Sequence, residues 1–242
     1  MSRLDTKFAY FLGLLLGDGY VGDLRVSLLY LVGHLVDERD FYDRLVVPLV
    51  SELFGLRAHA YVRRGQQAYA LQIHSINLIE YLRSKIGFSI RGMSKVVPKV
   101  VLASSAAIKK AFLAGLFDAD GCLVFAKSHG SYRYPRIEIK SVDKSIIETV
   151  CKMLRDLGFR ATIRKSAESW VASVNGEAQL EKWMSHIGSH NIKHLSKYLL
   201  WKESGFCPPH TSMPERLHML HLNPDNFYHA LVGRTGIDVN SF

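Results

Sequence analysis

The sequence predicts an α/β (α+β) protein built from two copies of one unit, each reading helix, two strands, helix, two strands, helix. Three observations carry that expectation. Residues 11 to 19 read FLGLLLGDG and residues 112 to 121 read FLAGLFDADG, and aligning the closing Asp-Gly pairs sets Asp18 against Asp120. Leu53-Phe54-Gly55 is echoed by Leu157-Gly158-Phe159, and Ile86-Gly87 by Ile187-Gly188, at nearly the same spacing. The chain has 242 residues, 48% of them hydrophobic, enough to bury a core in one large domain or two small ones. The expected division is 1–104 for the first copy, 105–200 for the second and 201–242 for a C-terminal extension.

Each motif reads as an apolar helix with small residues four apart, Gly13 and Gly17 in the first and Gly115 and Ala119 in the second. Small residues on one stripe let two backbones approach closely, so the two motif helices should pack on each other. Gly19 and Gly121 close them, where a left-handed cap is expected because glycine adopts it at little cost. After Gly22 the run LRVSLLYLVG is rich in apolar and β-branched residues and reads as strand. Residues 37 to 55 place Phe41, Leu45, Leu49 and Leu53 at helical spacing. In the following strand Arg57, His59, Tyr61 and Arg63 alternate with Ala58, Ala60 and Val62. In the second copy Tyr132, Tyr134, Arg136, Glu138 and Lys140 fall on one side of their strand. Ile146, Ile147, Val150, Leu154 and Leu157 mark the next helix, and Arg160, Thr162 and Arg164 share a side of the strand after it.

Two short motifs are set aside by the repeat. Gly17, Gly19 and Gly22 fit G-x-G-x-x-G, with Asp37 and Glu38 downstream where a dinucleotide-binding turn has its ribose acid. The second copy has no counterpart of Gly22, and a strand follows where that fold needs a helix. The DADG of the second copy is no calcium loop, because Leu123 stands where the loop glycine belongs and no Glu closes it.

The repeated letters instead place Asp18 and Asp120 in the last turns of two adjacent helices, beside the negative ends of both macrodipoles and beside each other. Two carboxylates so placed call for a cation. Lys and Arg total 31 against 22 Asp and Glu, for a net charge of +9, a balance that suits a polyanionic partner. The basic and aromatic strand faces repeat in both halves, which favours contact with DNA through Arg57, His59, Tyr61, Arg63, Tyr132, Tyr134, Arg136, Glu138, Lys140, Arg160 and Arg164, with Arg25 added from the first half. Cys122, Cys151 and Cys207 are an odd set without a C-x-x-C pair, pointing to a reducing, intracellular compartment rather than secretion. The run FAYFLGLLLG is too short to span a bilayer and has no cleavage site after it.

LAGLFDADG at 113 to 121 resembles the signature motif of the LAGLIDADG homing endonucleases, and LGLLLGDG resembles the looser first copy in their single-chain, two-motif members. The repeat extends the resemblance over roughly residues 8 to 200. The resemblance implies a monomer with a pseudo-twofold pair of αββαββα units, two packed central motif helices and antiparallel, saddle-shaped sheets that grip duplex DNA. It implies a site-specific endonuclease of intron homing, which leaves a staggered double-strand break in a long target by metal-dependent phosphodiester hydrolysis. Its metal positions fall here on Asp18 and Asp120, with Gly17 and Ala119 beside them, and its ions would be two or three Mg²⁺ or Mn²⁺, with Ca²⁺ a non-catalytic substitute. The compartment it implies is the cytoplasm of a prokaryote or an organelle. Two phosphates facing each other across a minor groove about 6 Å wide require two sites nearly in contact, which packed helices supply.

Family members place a basic residue from a strand near each scissile phosphate. Lys140 is the second-half candidate and Lys127 the other. The first half has no Lys between Lys7 and Lys85, which leaves Arg25, His34 or water. Asp118 is read as structural. The tail carries Cys207, His210, His218 and His221 at ligand-like spacings, but with one cysteine they read as ordinary residues of a segment that braces the second half or extends the DNA contact. An RNA maturase and a non-cleaving DNA-binding regulator are the alternatives on the same fold. An intein origin is disfavoured, since no splicing-domain blocks are seen.

Overall fold

The computed structural model describes residues 4–22, 27–88, 90–91 and 94–237. Helix α1 (Thr6–Asp18) starts at Asp5, whose carboxylate accepts from the Phe8 amide at 2.8 Å and so satisfies a donor that the first turn leaves over. It runs directly into β1 (Gly19–Val21), which pairs with β2 (Leu28–His34). A continuous helical stretch follows, made of α2 (Leu35–Phe41), a π-helical turn (Tyr42–Val46) and α3 (Val47–Phe54). β3 (His59–Val62), β4 (Ala68–His74) and α4 (Ile76–Ser84) complete the first unit. A short pair, β5 (Ile90–Arg91) and β6 (Ser94–Lys95), and α5 (Lys99–Leu102) lead to the second. That unit is α6 (Ala106–Asp120), β7 (Gly121–Ser128), β8 (Ser131–Ser141), α7 (Lys144–Asp156), β9 (Ala161–Ser166), β10 (Ser169–Asn175) and α8 (Glu177–His186).

Both units are therefore αββαββα, and their antiparallel sheets share one strand order, β1-β2-β4-β3 and β7-β8-β10-β9. Register matches as well. Gly19 pairs with Leu31 as Gly121 pairs with Ile139, so positions next to the motif helices in one sheet have twins in the other.

α1 and α6 are buried on all sides, from Phe8 to Gly17 and from Phe112 to Ala119, as expected of helices without a polar face. They pack through their small residues. A Cβ at Gly13 would lie 2.1 Å from the Phe112 carbonyl oxygen, one at Gly115 would lie 2.0 Å from the Tyr10 carbonyl oxygen, and one at Gly17 would lie 2.4 Å from the Ala119 Cβ. Gly19 and Gly121 correct an expectation, for neither is left-handed. Both are extended, at φ −91° and −77°, because the chain passes straight from helix to strand. Glycine stands there for space, since a Cβ would meet the Leu15 carbonyl oxygen or the Phe117 ring, each at 2.2 Å.

The stretch 37–55 is helical to Phe54, with Gly55 a left-handed cap, but the wider π turn carries Tyr42 and Val46 inward, so that Leu45 and Leu53 are only partly covered. The second unit closes at α8, and α9 (Ile192–Ser204) runs across the boundary expected at residue 200. α10 (Met213–Met219) and α11 (Pro224–Thr235) follow it. This extension does more than brace the second unit. The Met213 amide donates to Asp37 at 2.6 Å and Arg44 pairs with Asp225, so the C-terminal helices close back onto the first unit. Among the described residues no helix is long and apolar enough to cross a membrane.

Candidate metal and nucleic-acid site

Asp18 and Asp120 are the last residues of α1 and α6. The helices touch there, since a Cβ at Gly17 would stand 3.1 Å from the Asp120 amide nitrogen and 3.5 Å from its Cβ. Tyr42, in the π-helical turn, packs on β2, where a Cβ at Gly33 would stand 2.6 Å from its ring. It is buried, and its pKa is raised well above the usual phenol value by that burial, then by the fields of Asp18, Glu38 and Asp120. Gly17 and Ala119 precede the two acids in the last turns. Hard oxygen donors of this kind suit Mg²⁺ or Mn²⁺. Among the described residues no three of His, Cys, Asp and Glu gather as a metal set, so further ligands would have to come from phosphate and water. The same holds for Cys207, His210, His218 and His221 in the tail.

The two second-half lysines part company. Lys140 and Asp120 line one small crevice with Leu16 and Ile139, so β8 sets this lysine next to the acid. Lys127 is six residues along β7 from Gly121, about 20 Å at the rise of a strand, and is not brought to the acids. In the first sheet the register twin of Lys140 is Val32, next to Leu31. Arg25 lies outside the described residues, and His34 caps α2, its Nδ1 accepting from the Asp37 amide at 3.3 Å.

A buried polar cluster lies against β2 one residue past Val32, where a Cβ at Gly33 would stand 3.0 Å from Glu38 Oε2. Glu38, in α2, is 4% exposed. Its carboxylate accepts from the His34 amide at 2.6 Å, from Asn191 Nδ2 at 2.9 Å and from Lys193 Nζ at 2.7 Å. Asn191 also donates to the Asp118 carbonyl at 2.9 Å, so it bolts the end of α6 to α2. Burial works to lower the pKa of the Lys193 ammonium, but the charge and hydrogen bond of Glu38, with Asp18 and Asp118 behind it, prevail and raise it. Asp118 itself is fully buried. It accepts from the Tyr10 hydroxyl at 2.6 Å, from the His190 amide at 2.7 Å and from Ser189 Oγ, the pattern of a structural tie. Burial pushes its carboxyl upward against those bonds and the charge of His190.

The outer sheet faces carry most of the residues read as DNA contacts. In the first sheet Tyr20, Tyr30, Gln72 and His59 stand in one register line. Tyr20 stacks on Tyr30 at 4.8 Å, His59 on Tyr61 at 5.7 Å, and Gln72 donates to the Tyr61 hydroxyl at 2.7 Å. Arg57 and Arg63 are exposed just outside β3. In the second sheet Arg136 lies over the Tyr134 ring at 5.9 Å, and Arg160 and Arg164 are exposed. Two corrections apply here. Glu138 is buried, with Arg164 at 2.8 Å and Lys140 at 4.0 Å, so it anchors its basic neighbours and does not offer a free carboxylate to a base. A bulge pairs Tyr134 with Ala126 but Tyr132 with Lys127; since successive residues of a strand face opposite ways, Tyr132 leaves the side that Tyr134 and Arg136 share.

Residues 107–188 match the family model described as a LAGLIDADG-like domain. Among solved structures the fold resembles I-DmoI in complex with DNA and Mn, at 21% identity and a TM-score of 0.52 over 77% of this chain and 98% of that one. It also resembles full-length DUF199/WhiA from Thermatoga maritima, at 12% identity and a TM-score of 0.53 over 98% and 92%. At these identities the likeness is one of fold. The chain is 29% identical over 185 residues to part of an A-type ATP synthase polypeptide of Pyrococcus abyssi and 24% identical over 213 residues to part of a DNA gyrase polypeptide of Mycobacterium gordonae. These matches cover 74% and 86% of this chain but only 16% and 36% of those much longer proteins.

Proposed function

With a LAGLIDADG-like domain at residues 107–188 and the LAGLIDADG fold extending over both units as the premise, we propose that this protein is a site-specific, metal-dependent DNA endonuclease that leaves a staggered double-strand break, as in intron homing. The observation that carries the reading is the pair of carboxylates at two touching helix ends. Without a cation each would sit against a helix dipole and against the other. Asp18 and Asp120, with the carbonyls of Gly17 and Ala119, would hold the ions. A bound divalent ion supplies Lewis-acid polarisation of the scissile phosphate and an activated water. Lys140 donates to the phosphate oxygen nearest Asp120. The sheet faces set the register of the duplex through Arg57, His59, Tyr61, Arg63, Arg136, Arg160 and Arg164, and the narrow spacing of the helix ends suits two phosphates facing each other across a minor groove.

Solved relatives are described in complex with DNA and Mn, Mg or Ca, which supports the choice of ion. The second reading is a DNA-binding protein that does not cut, favoured by the likeness to DUF199/WhiA. Retention of an acid at both helix ends argues for cutting. An RNA maturase gains no support from these relatives.

The test is a plasmid carrying a duplex selected for binding from a random pool, treated with the protein in Mg²⁺, in Ca²⁺ and in chelator. Linear product in Mg²⁺ alone is expected. Tight binding with no nicked or linear product in Mg²⁺ or Mn²⁺ would leave the regulator.

A further inference from the structure

The two cleavage centres are not furnished alike. By register the strand position that carries Lys140 in the second sheet carries Val32 in the first, and the sequence has no lysine between Lys7 and Lys85 to stand in for it. One arrives from elsewhere. Lys193, in the first turn of α9, reaches back across the α6 end to Glu38, with its side chain 19% exposed. Asn191, which caps α9, fixes that turn to both Glu38 and the Asp118 carbonyl, and Arg44–Asp225 and Asp37–Met213 hold the rest of the extension on the same unit.

We infer that Lys193 is the cation of the Asp18 centre, supplied by the C-terminal extension in place of a strand lysine and aimed by Glu38 and Asn191. An ammonium has three donors, and Glu38 takes one. Glu38 lies against Gly33 of β2, the strand whose Leu31 pairs with Gly19 directly after Asp18, so the side chain can keep that bond while a second donor meets a phosphate oxygen entering beside Asp18. Glu38 and Asn191 are positioning residues. This assignment rests on the endonuclease reading, which it deepens: the metal-holding acids are shared across the pseudo-twofold, but each strand has its own lysine.

The experiment uses the full chain and a selected duplex labelled separately on each strand. Lys193→Met is expected to slow cleavage of one strand by about 100-fold or more, the usual loss of one aimed donor, so that nicked duplex accumulates. Lys140→Met should slow the opposite strand. Lys193→Met leaves Glu38 buried without its partner, so Glu38→Gln/Lys193→Met, which removes both charges, is measured beside it. The double variant should melt near the parent and keep the strand bias, and Lys193→Arg should restore much of the rate. A second readout needs no cutting: in Ca²⁺ the slope of log affinity against log salt should fall by about one for each lysine variant, the signature of one lost phosphate contact. Equal slowing of both strands with an unchanged salt slope in the double variant would overturn the assignment and leave a structural pair. A parent that binds but cuts neither strand would overturn the nuclease reading alone, and the salt slope would still decide for or against a phosphate contact at Lys193.

Discussion

Asp18 and Asp120 end their helices where the backbone itself is negative, and the touching last turns bring them to one place. Replacing either by Asn removes ligand charge and also removes repulsion toward phosphate. Asp120→Asn and Asp18→Asn should therefore each lower cleavage of both strands by more than about 100-fold and leave duplex affinity unchanged or higher, as read by plasmid cleavage and gel shift. Linear product at the parental rate from either variant would remove that acid from the mechanism. Asp118, two residues from Asp120, behaves otherwise. An Asn there keeps one acceptor for three donors, so Asp118→Asn should cost about 2–4 kcal/mol of stability in urea unfolding while leaving the metal dependence of cleavage intact. The difference between these neighbours was legible in the sequence, because helical spacing alone turns residue 118 away from residue 120. Glu38 and Lys193 were not. Their contact joins residues 155 apart in the chain, and no local pattern marks it.

The two motif helices are where a single added methyl matters most. A Cβ at Gly115 would fall 2.0 Å from a backbone oxygen of α1, which no rotamer can relieve, so Gly115→Ala should destabilise the protein by about 3 kcal/mol or more. An unchanged urea midpoint would refute the packed-helix account. α9 adds a pH dependence. His194 is buried against Phe117, its Nε2 on the Phe117 carbonyl at 3.1 Å and its Nδ1 without a partner among the described residues. Burial lowers its pKa well below the usual imidazole value, with Lys193 and Lys197 adding to the effect. A depressed pKa means that stability is present above the unfolded value of about 6.5 and is lost as pH falls, by up to about 1.4 kcal/mol per unit. His194→Phe should flatten that slope between pH 7 and pH 5; an identical slope would place the titration elsewhere. At this scale the repeat made both αββαββα units readable. The glycine conformations after each motif escape such a reading, because packing space, and not φ, demands glycine there. The bulge at Ala126/Lys127 has no signal in an alternating pattern.

Across the whole molecule, a net charge of +9 and arginines exposed on both sheets predict that duplex affinity falls steeply with salt, by about 0.9 in log affinity per log salt for each phosphate met. A flat titration between 50 and 200 mM, the range over which about 10³-fold losses are ordinary for such proteins, would count against DNA as the partner. The extension from α9 to α11 clasps the two units, and its reach to the first unit was hidden in the sequence because Asp225 and Met213 carry no mark of their partners Arg44 and Asp37. The central claim is that paired helix-end acids cut both strands of a duplex. It is tested most directly by digesting total DNA of the source organism's intron-less relatives with the protein in Mg²⁺ and sequencing the ends. The account predicts paired, staggered ends at one or a few loci, absent with Asp120→Asn. Tight binding at such loci without any ends, for parent and variant alike, would contradict it.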